Sequence, residues 1–225
     1  MDESITNVMF NLRRRKDREV DIPRMAPRVA KVEPASSTGA RKHILTCAAR
    51  LFRKLGYAAV SLRDVAAEAG VTTGSLYHHF GSKDELVRAL LEQGYSDILV
   101  DVKAALEATS TSQDTGSSLR EALKAHLACL LATDSFPAAN VRIHAHVPEH
   151  LRKATLKGRR TYERLWIDLL RSYANEGYVR ANVEPKALVM ILFGAMNWSL
   201  EWFKPGRDDL DTFADDLLRL VLADD

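Results

Sequence analysis

Thr72, Thr73, Gly74 and Ser75 set four small, uncharged residues in a row, followed by Tyr77 and His78 and, a few positions on, Lys83. No nucleophile is paired with a base here, so the chemistry on offer is recognition. Small side chains at the start of a helix leave its first backbone N–H groups open to phosphate oxygens or base edges, and Tyr77 and His78 can reach phosphate or sugar oxygens. Lys83 can neutralise a phosphate. Such a set must be held by two short helices and a tight turn, and residues 61–80, SLRDVAAEAGVTTGSLYHHF, read that way. Leu62, Val65, Ala66 and Ala69 recur at helical spacing, Ser61 with Asp64 forms a start signal, and Gly70 ends the helix. Thr72 and Thr73 start the second helix, with Leu76 and Phe80 as its buried anchors. This is the layout of a helix-turn-helix, whose second helix enters a DNA major groove. Spacing alone leaves an ordinary helical pair open.

The run VSLRDVAAEAGVTTGSLYHHFGSKDELVRALL closely resembles the DNA-binding motif of the TetR family of transcriptional regulators, over residues 41–91. The pattern that carries it is Gly74, a small residue at Ser75, Leu76, Tyr77, two further residues and Phe80, leading into Lys83-Asp84-Glu85-Leu86. The resemblance implies DNA contacts from Ser61, Thr72, Thr73, Gly74, Ser75, Tyr77, His78 and Lys83. It also implies that Tyr57 packs beneath the motif. The long helix after the motif is then expected to transmit movement of a ligand domain to the spacing of two recognition helices.

Charge is distributed to match. The chain carries a formal charge of only +2, yet residues 41–83 hold seven Lys or Arg against two acids, and residues 84–225 hold 17 against 22. A basic excess confined to the motif favours counterion release on DNA. With 225 residues and 46% hydrophobic composition, a folded core is affordable, and no apolar run reaches membrane-spanning length. The N-terminus lacks an apolar signal core, which predicts a cytoplasmic protein associated with the bacterial nucleoid. Cys47 and Cys129 are expected as two buried thiols.

Three parts are predicted: a mixed-charge disordered arm over 1–39, a helix-turn-helix domain over 40–84, and a ligand-binding and dimerisation domain over 85–225, in an all-α fold of about nine helices. Arg13, Arg14, Arg15, Lys16 and Arg18 could add non-specific DNA contacts, although a solvated tail or an alternative start at Met25 fits them better. Helices are predicted over 40–55, from Ser82 past 25 residues, over 119–132, between Pro137 and Pro148, and over 149–175, 185–203 and 208–222, with a loop over 109–118. The helix over 185–203 is apolar on more than one side, so it and the last helix are predicted to form a four-helix contact with a two-fold mate.

Asn197 and Glu201 in that apolar helix, beside Met190 and facing Tyr162 and Trp166, mark a candidate effector cavity; the alternative is a filled core. FGAMNWSLEWFKPGRDDLDTFADDL also resembles the C-terminal segment of TetR-type repressors of fatty-acid and steroid catabolism, many of which respond to acyl-CoA thioesters. That resemblance implies an apolar tunnel with Arg142, Arg159, Arg160 or Arg164 on the CoA phosphates. The effector set is thus Arg142, Tyr162, Trp166, Met190 and Asn197. His144 and His146, two apart, do not share a helix face, and with His126 and His150 they are read as solvated or hydrogen-bonded, not as a metal site. No cofactor is expected. The competing readings are a ligand-independent DNA-binding activator or architectural protein, and an enzyme built on residues 144–150 with Glu149, which has no nucleophile elbow or phosphate loop to support it.

Overall fold

A computed structural model of the chain describes residues 37–110, 116–179 and 183–222, all within one compact unit, Glu33–Asp225. The predicted arm lies outside the described residues apart from 37–39, which already belong to the first helix. Ten α-helices and no strand are present among the described residues, as the all-α expectation requires.

Helix α1, Ser37–Ala59, turns Ile44, Leu45, Ala48 and Phe52 inward, and Gly56, at φ 79°, breaks its path where the sequence placed its end. Helix α2, Leu62–Glu68, opens on the predicted box: the Ser61 hydroxyl accepts the Asp64 N–H while the Asp64 carboxylate accepts the Ser61 N–H at 2.8 Å. Gly70, at φ 66°, reverses the chain. Helix α3, Thr73–His79, starts on the Thr72 hydroxyl, which accepts the Ser75 N–H at 3.1 Å. Ser82 does the same for Glu85 at the head of α4, Lys83–Ala108. Each cap satisfies a backbone donor that the first helical turn leaves unpaired.

Two cores share α4. Its first turns put Leu86, Val87, Leu90 and Leu91 with Phe52, Leu76 and Phe80. Further along, Ile98 and Val102 join Leu123, Trp166, Leu192 and Leu217. The first core also takes Phe136 and Ile143 from α6, Phe136–Ile143, so the elements bracketed by Pro137 and Pro148 brace the motif from behind. Helix α5 runs Ser117–Leu131. Of the predicted 109–118 loop, residues 111–115 lie outside the described residues.

The single helix expected over 149–175 is two, α7, Glu149–Ala154, and α8, Leu156–Asn175. Between them the buried Thr155 hydroxyl donates back to the Leu151 carbonyl at 3.0 Å, a local bond that bends helices and has no signature in hydrophobic spacing. That break accounts for ten helices where nine were expected. Helices α9, Pro185–Trp202, and α10, Leu210–Val221, close the chain, capped by Glu184 and Asp209.

Between the halves, Arg50 of α1 grips Asp134 through two bonds, one of 2.8 Å, and Arg53 donates to the Ala132 carbonyl at 3.0 Å. Arg120 and Lys124 of α5 meet Asp211 and Asp215 of α10. Cys47 is buried as expected, but Cys129 is only half-buried, and both are free thiols.

Candidate nucleic-acid interface and effector cavity

Helix α3 is a small element fixed by two large anchors. Leu76 and Phe80 are fully buried, whereas Tyr77 is 52% exposed and His78 is exposed. The guanidinium of Arg41 lies over the Phe80 ring, 4.5 Å from its centroid, tying α1 to the end of α3. A Cβ at Gly74 would meet nothing nearer than the Thr72 hydroxyl at 3.9 Å. The fold therefore does not need glycine there, and its smallness leaves the helix start open to an outside partner.

The sequence candidates divide by what their side chains already do. The hydroxyls of Ser61 and Thr72 are engaged as caps, and Ser61 also donates to Asp64 at 2.6 Å. Thr73 and Ser75 are partly exposed beside the open Gly74. Lys83 turns inward: its ammonium donates to the Tyr57 carbonyl at 2.7 Å and sits 4.1 Å from the centroid of the Tyr57 ring. Partial burial lowers its pKa, and Asp84 and Asp64 oppose that shift. Sequence spacing could not reveal this contact, because Tyr57 is 26 residues away. His43 was also missed; its Nε2 lies 3.2 Å from the Ala69 carbonyl and secures the end of α2 from α1.

A second candidate site lies in the other half. A half-open cavity of about 380 Å³ is bounded by α4 through Gly94, Tyr95 and Ile98, by α5 through His126 and Leu130, and by α6 through Asn140 and Val141. Helices α8 and α9 complete it with Arg159, Tyr162, Met190, Phe193 and Asn197. Tyr162, Met190 and Asn197 thus line it as the sequence suggested. Trp166 is fully buried in the wall behind, edge-on to Tyr162 and Phe193. Arg142 is not at the cavity at all: it faces outward on α6, pairs with Glu201 at 3.1 Å and borders a separate cleft with Arg53 and Trp198. Of the other arginines considered, Arg159 alone reaches the cavity, held by Glu163 at 2.6 Å and by His144 Nε2 at 3.1 Å. Arg160 and Arg164 line a surface cleft with Lys157.

The residues that sequence reasoning missed are His126 and Asn140. Both are nearly fully buried. His126 Nδ1 lies 2.7 Å from the Tyr162 hydroxyl, and Asn140 Nδ2 donates to the Leu91 carbonyl of α4 at 2.9 Å. Burial pushes the His126 pKa down to about 3 and the Tyr162 pKa well above its ordinary value, so both are neutral. A histidine that titrates normally when unfolded but stays neutral when folded contributes stability that is complete above pH ~6.5 and is lost as pH falls towards the folded value. Between pH 6.5 and 5 the thermal midpoint is therefore expected to fall, and His126→Phe to flatten that slope. Carboxylates with lowered pKa, such as Asp64 and Asp134, act at lower pH and do not mask it. An unchanged slope in the variant would place the titration elsewhere.

Among the described residues no three His, Cys, Asp or Glu side chains are grouped to hold a metal ion, and no helix is long and apolar enough to cross a membrane. His150 is instead 2.6 Å from Asp84.

Comparison with known proteins gives two family matches. Residues 44–90 match the model described as bacterial regulatory proteins, tetR family, and residues 112–224 match the tetracyclin repressor-like C-terminal domain. The chain is 28% identical over 197 residues to the HTH-type transcriptional repressor KstR2 of Rhodococcus jostii, covering 84% of this chain and 93% of that protein. It is 30% identical over 176 residues to KstR2 of Mycobacterium tuberculosis, covering 74% and 82%. Among solved structures, AibR in complex with isovaleryl coenzyme A and operator DNA superposes with a TM-score of 0.71 at 22% identity, over 81% of this chain and 97% of that one, a likeness of fold.

Proposed function

The chain belongs to the TetR family and is a DNA-binding transcriptional regulator, and from that premise we propose a homodimeric repressor that leaves a palindromic operator when a small apolar effector fills the cavity. The observation that supports this most is the path of α4. It begins three residues after Phe80 and walls the cavity at Gly94, Tyr95 and Ile98, so one rigid element serves both sites. Residues 40–84 are read as the DNA-binding part and 85–225 as the effector and dimer part, the whole acting in the cytoplasm on the nucleoid. An effector preferring one tilt of α4 would shift the population away from the spacing that fits successive major grooves. An open cavity of this size favours that reading over a filled, ligand-independent core.

For the dimer, α9 offers the better surface. Ile191 and Trp198 are 64% and 67% exposed on its outer face, with Met190 and Trp202 beside them. The outward side of α10 is mostly charged, through Asp216 and Arg219, with Leu220 as its apolar exception.

Acyl-CoA thioesters are the effector class we propose, on the strength of the fold shared with AibR, whose structure contains isovaleryl coenzyme A. The cavity accommodates the acyl end, with Arg159 the cation nearest to hand for the remainder. The test is operator binding by the purified protein on its own promoter region, with and without CoA thioesters and the matching free acids. Release by thioesters alone supports the class; binding indifferent to the whole panel removes it.

The DNA contacts are proposed for the exposed face of α3 and its caps: Ser61, Thr72, Thr73, Gly74, Ser75, Tyr77 and His78, with Lys83 at the base. Tyr77→Ala is expected to weaken operator binding about tenfold with little change in stability. Lys83→Ala is expected to lower the slope of log K against log salt by about one if the ammonium serves a phosphate. An unchanged salt slope would leave Lys83 as the brace of Tyr57 that its geometry already makes it.

A further inference from the structure

Four polar residues that line the cavity, Tyr95, His144, Arg159 and Glu163, are joined in a chain. Arg159 Nε donates to the Glu163 carboxylate at 2.6 Å, Arg159 Nη1 donates to His144 Nε2 at 3.1 Å, and the Tyr95 hydroxyl lies 3.4 Å from His144 Nδ1. Arginine only donates, so Nε2 is the accepting nitrogen and the imidazole proton sits on Nδ1, towards Tyr95. Burial, and after it the charges of Arg159 and Arg152, lower the His144 pKa, which keeps the ring neutral and able to accept. The guanidinium is thus held from two helices, by Glu163 one turn along α8 and by His144 at the end of α6.

That hold uses two of the five N–H groups of Arg159, and the other three have no partner among the described residues. The side chain is 42% exposed while lining a half-open cavity, so these donors are within reach of a bound molecule. Charge narrows what they take. Arg159 is the one cation and Glu163 the one acid among the residues lining the cavity. Arg152, close enough to act on His144, has no acid partner among the described residues and leaves this end with one positive charge in excess. Ile98, Leu130, Met190 and Phe193 make the remaining walls largely apolar.

We propose that Arg159 seats a single carboxylate carried by an otherwise apolar effector, with His144 and Glu163 as positioning residues that orient the guanidinium. This deepens the effector reading above and rests on it; on a CoA thioester the carboxylate is a second acid group borne by the acyl portion. The planar guanidinium can pair a carboxylate with charge-assisted bonds. An ester or a hydroxyl gains weaker bonds, an amine meets donors with donors, and a phosphate brings more negative charge than one surplus cation offsets.

Five probes of similar length test this on the full chain: octanoate, its uncharged isomer methyl heptanoate, 1-octanol, octylamine and octyl phosphate, each titrated against the thermal midpoint for an apparent affinity. Octanoate is expected to bind at least about tenfold more tightly than the ester and the alcohol, with octylamine weakest. Arg159→Gln is expected to erase that advantage while ester binding stays unchanged, and Arg159→Lys, which keeps the charge without the fork, to restore only part of it. Arg160→Gln, one residue on and outside the cavity, is expected to change neither, which separates a seat on Arg159 from general attraction of anions to a positively charged chain. An ester or alcohol that matches octanoate, or an octanoate advantage that survives Arg159→Gln or is lost equally in Arg160→Gln, overturns the carboxylate seat and leaves the cavity reading standing. Tighter binding of octyl phosphate overturns it in favour of a phosphate. If no probe binds, the cavity reading falls as well. The wild-type series needs no variant to fold.

Discussion

Exchanging Ile191 and Trp198 together for glutamate is expected to convert the protein to a monomer and to lower operator affinity at least about 100-fold. Both side chains are more than half exposed on the outer face of α9, an unusual cost for a large aromatic and a β-branched aliphatic on one helix. Buried against a second copy, they would contribute at roughly 25 cal/mol per Å² of apolar area removed from water. Two carboxylates in their place cannot be desolvated there. The operator loses more than the contact itself, because one seven-residue recognition helix reads few bases and two linked half-sites gain about 10²–10⁴ from effective concentration. Sedimentation and operator titration on the same sample decide it. A dimeric mass with unchanged affinity would move the interface off α9. Leu220→Glu then measures how much of the contact α10 carries, since Leu220 is its most exposed apolar residue.

Truncating Phe80 to alanine is expected to cost about 3–5 kcal/mol of folding stability, read from urea denaturation. The ring is fully buried at the end of α3, beneath the Arg41 guanidinium and in the same core as Phe52 and Leu86. Its loss leaves a cavity under a helix of seven residues that has Leu76 as its other fully buried anchor. Folded domains have only about 5–15 kcal/mol to lose, so the motif is expected to loosen before the rest of the chain. Tyr77, three residues earlier and 52% exposed, supplies the contrast: its truncation is expected to weaken DNA binding at nearly constant stability. A loss below about 1 kcal/mol for Phe80→Ala would mean that the Arg41 and Leu76 contacts suffice.

The recognition half was legible in the chain because its signals are local. Ser61 with Asp64, Gly70, Thr72 and Ser82 each act within four residues, and the structure uses every one as read. Leu76 and Phe80 were identifiable as anchors by spacing alone. The cavity was legible only in part. Tyr162, Met190 and Asn197 could be picked out as odd residues on apolar helices, and all three line it. Arg142 misled, since a helix of eight residues gives no reliable face and the guanidinium found Glu201 outside. His126 and Asn140 were not chosen because their meaning lies in partners 36 and 49 residues away. Lys83 shows the same limit from the other side. Its place in a motif suggested a phosphate, while the fold gave it the Tyr57 carbonyl.

One close approach bears on how such a protein can change over time. A Cβ at Gly94 would stand 2.4 Å from Asn140 Nδ2, inside any tolerable contact, and Asn140 is short, buried and bonded to Leu91. The obstacle cannot swing aside, so even one methyl group must push the amide off α4. Residue 94 is therefore closed to drift, whereas Met190 and Phe193 on α9, also lining the cavity, can exchange size with their neighbours. New effectors would be acquired by remodelling the α9 wall while the α4 wall stays fixed, and descendants of this chain could diverge in what they sense without relearning how to respond.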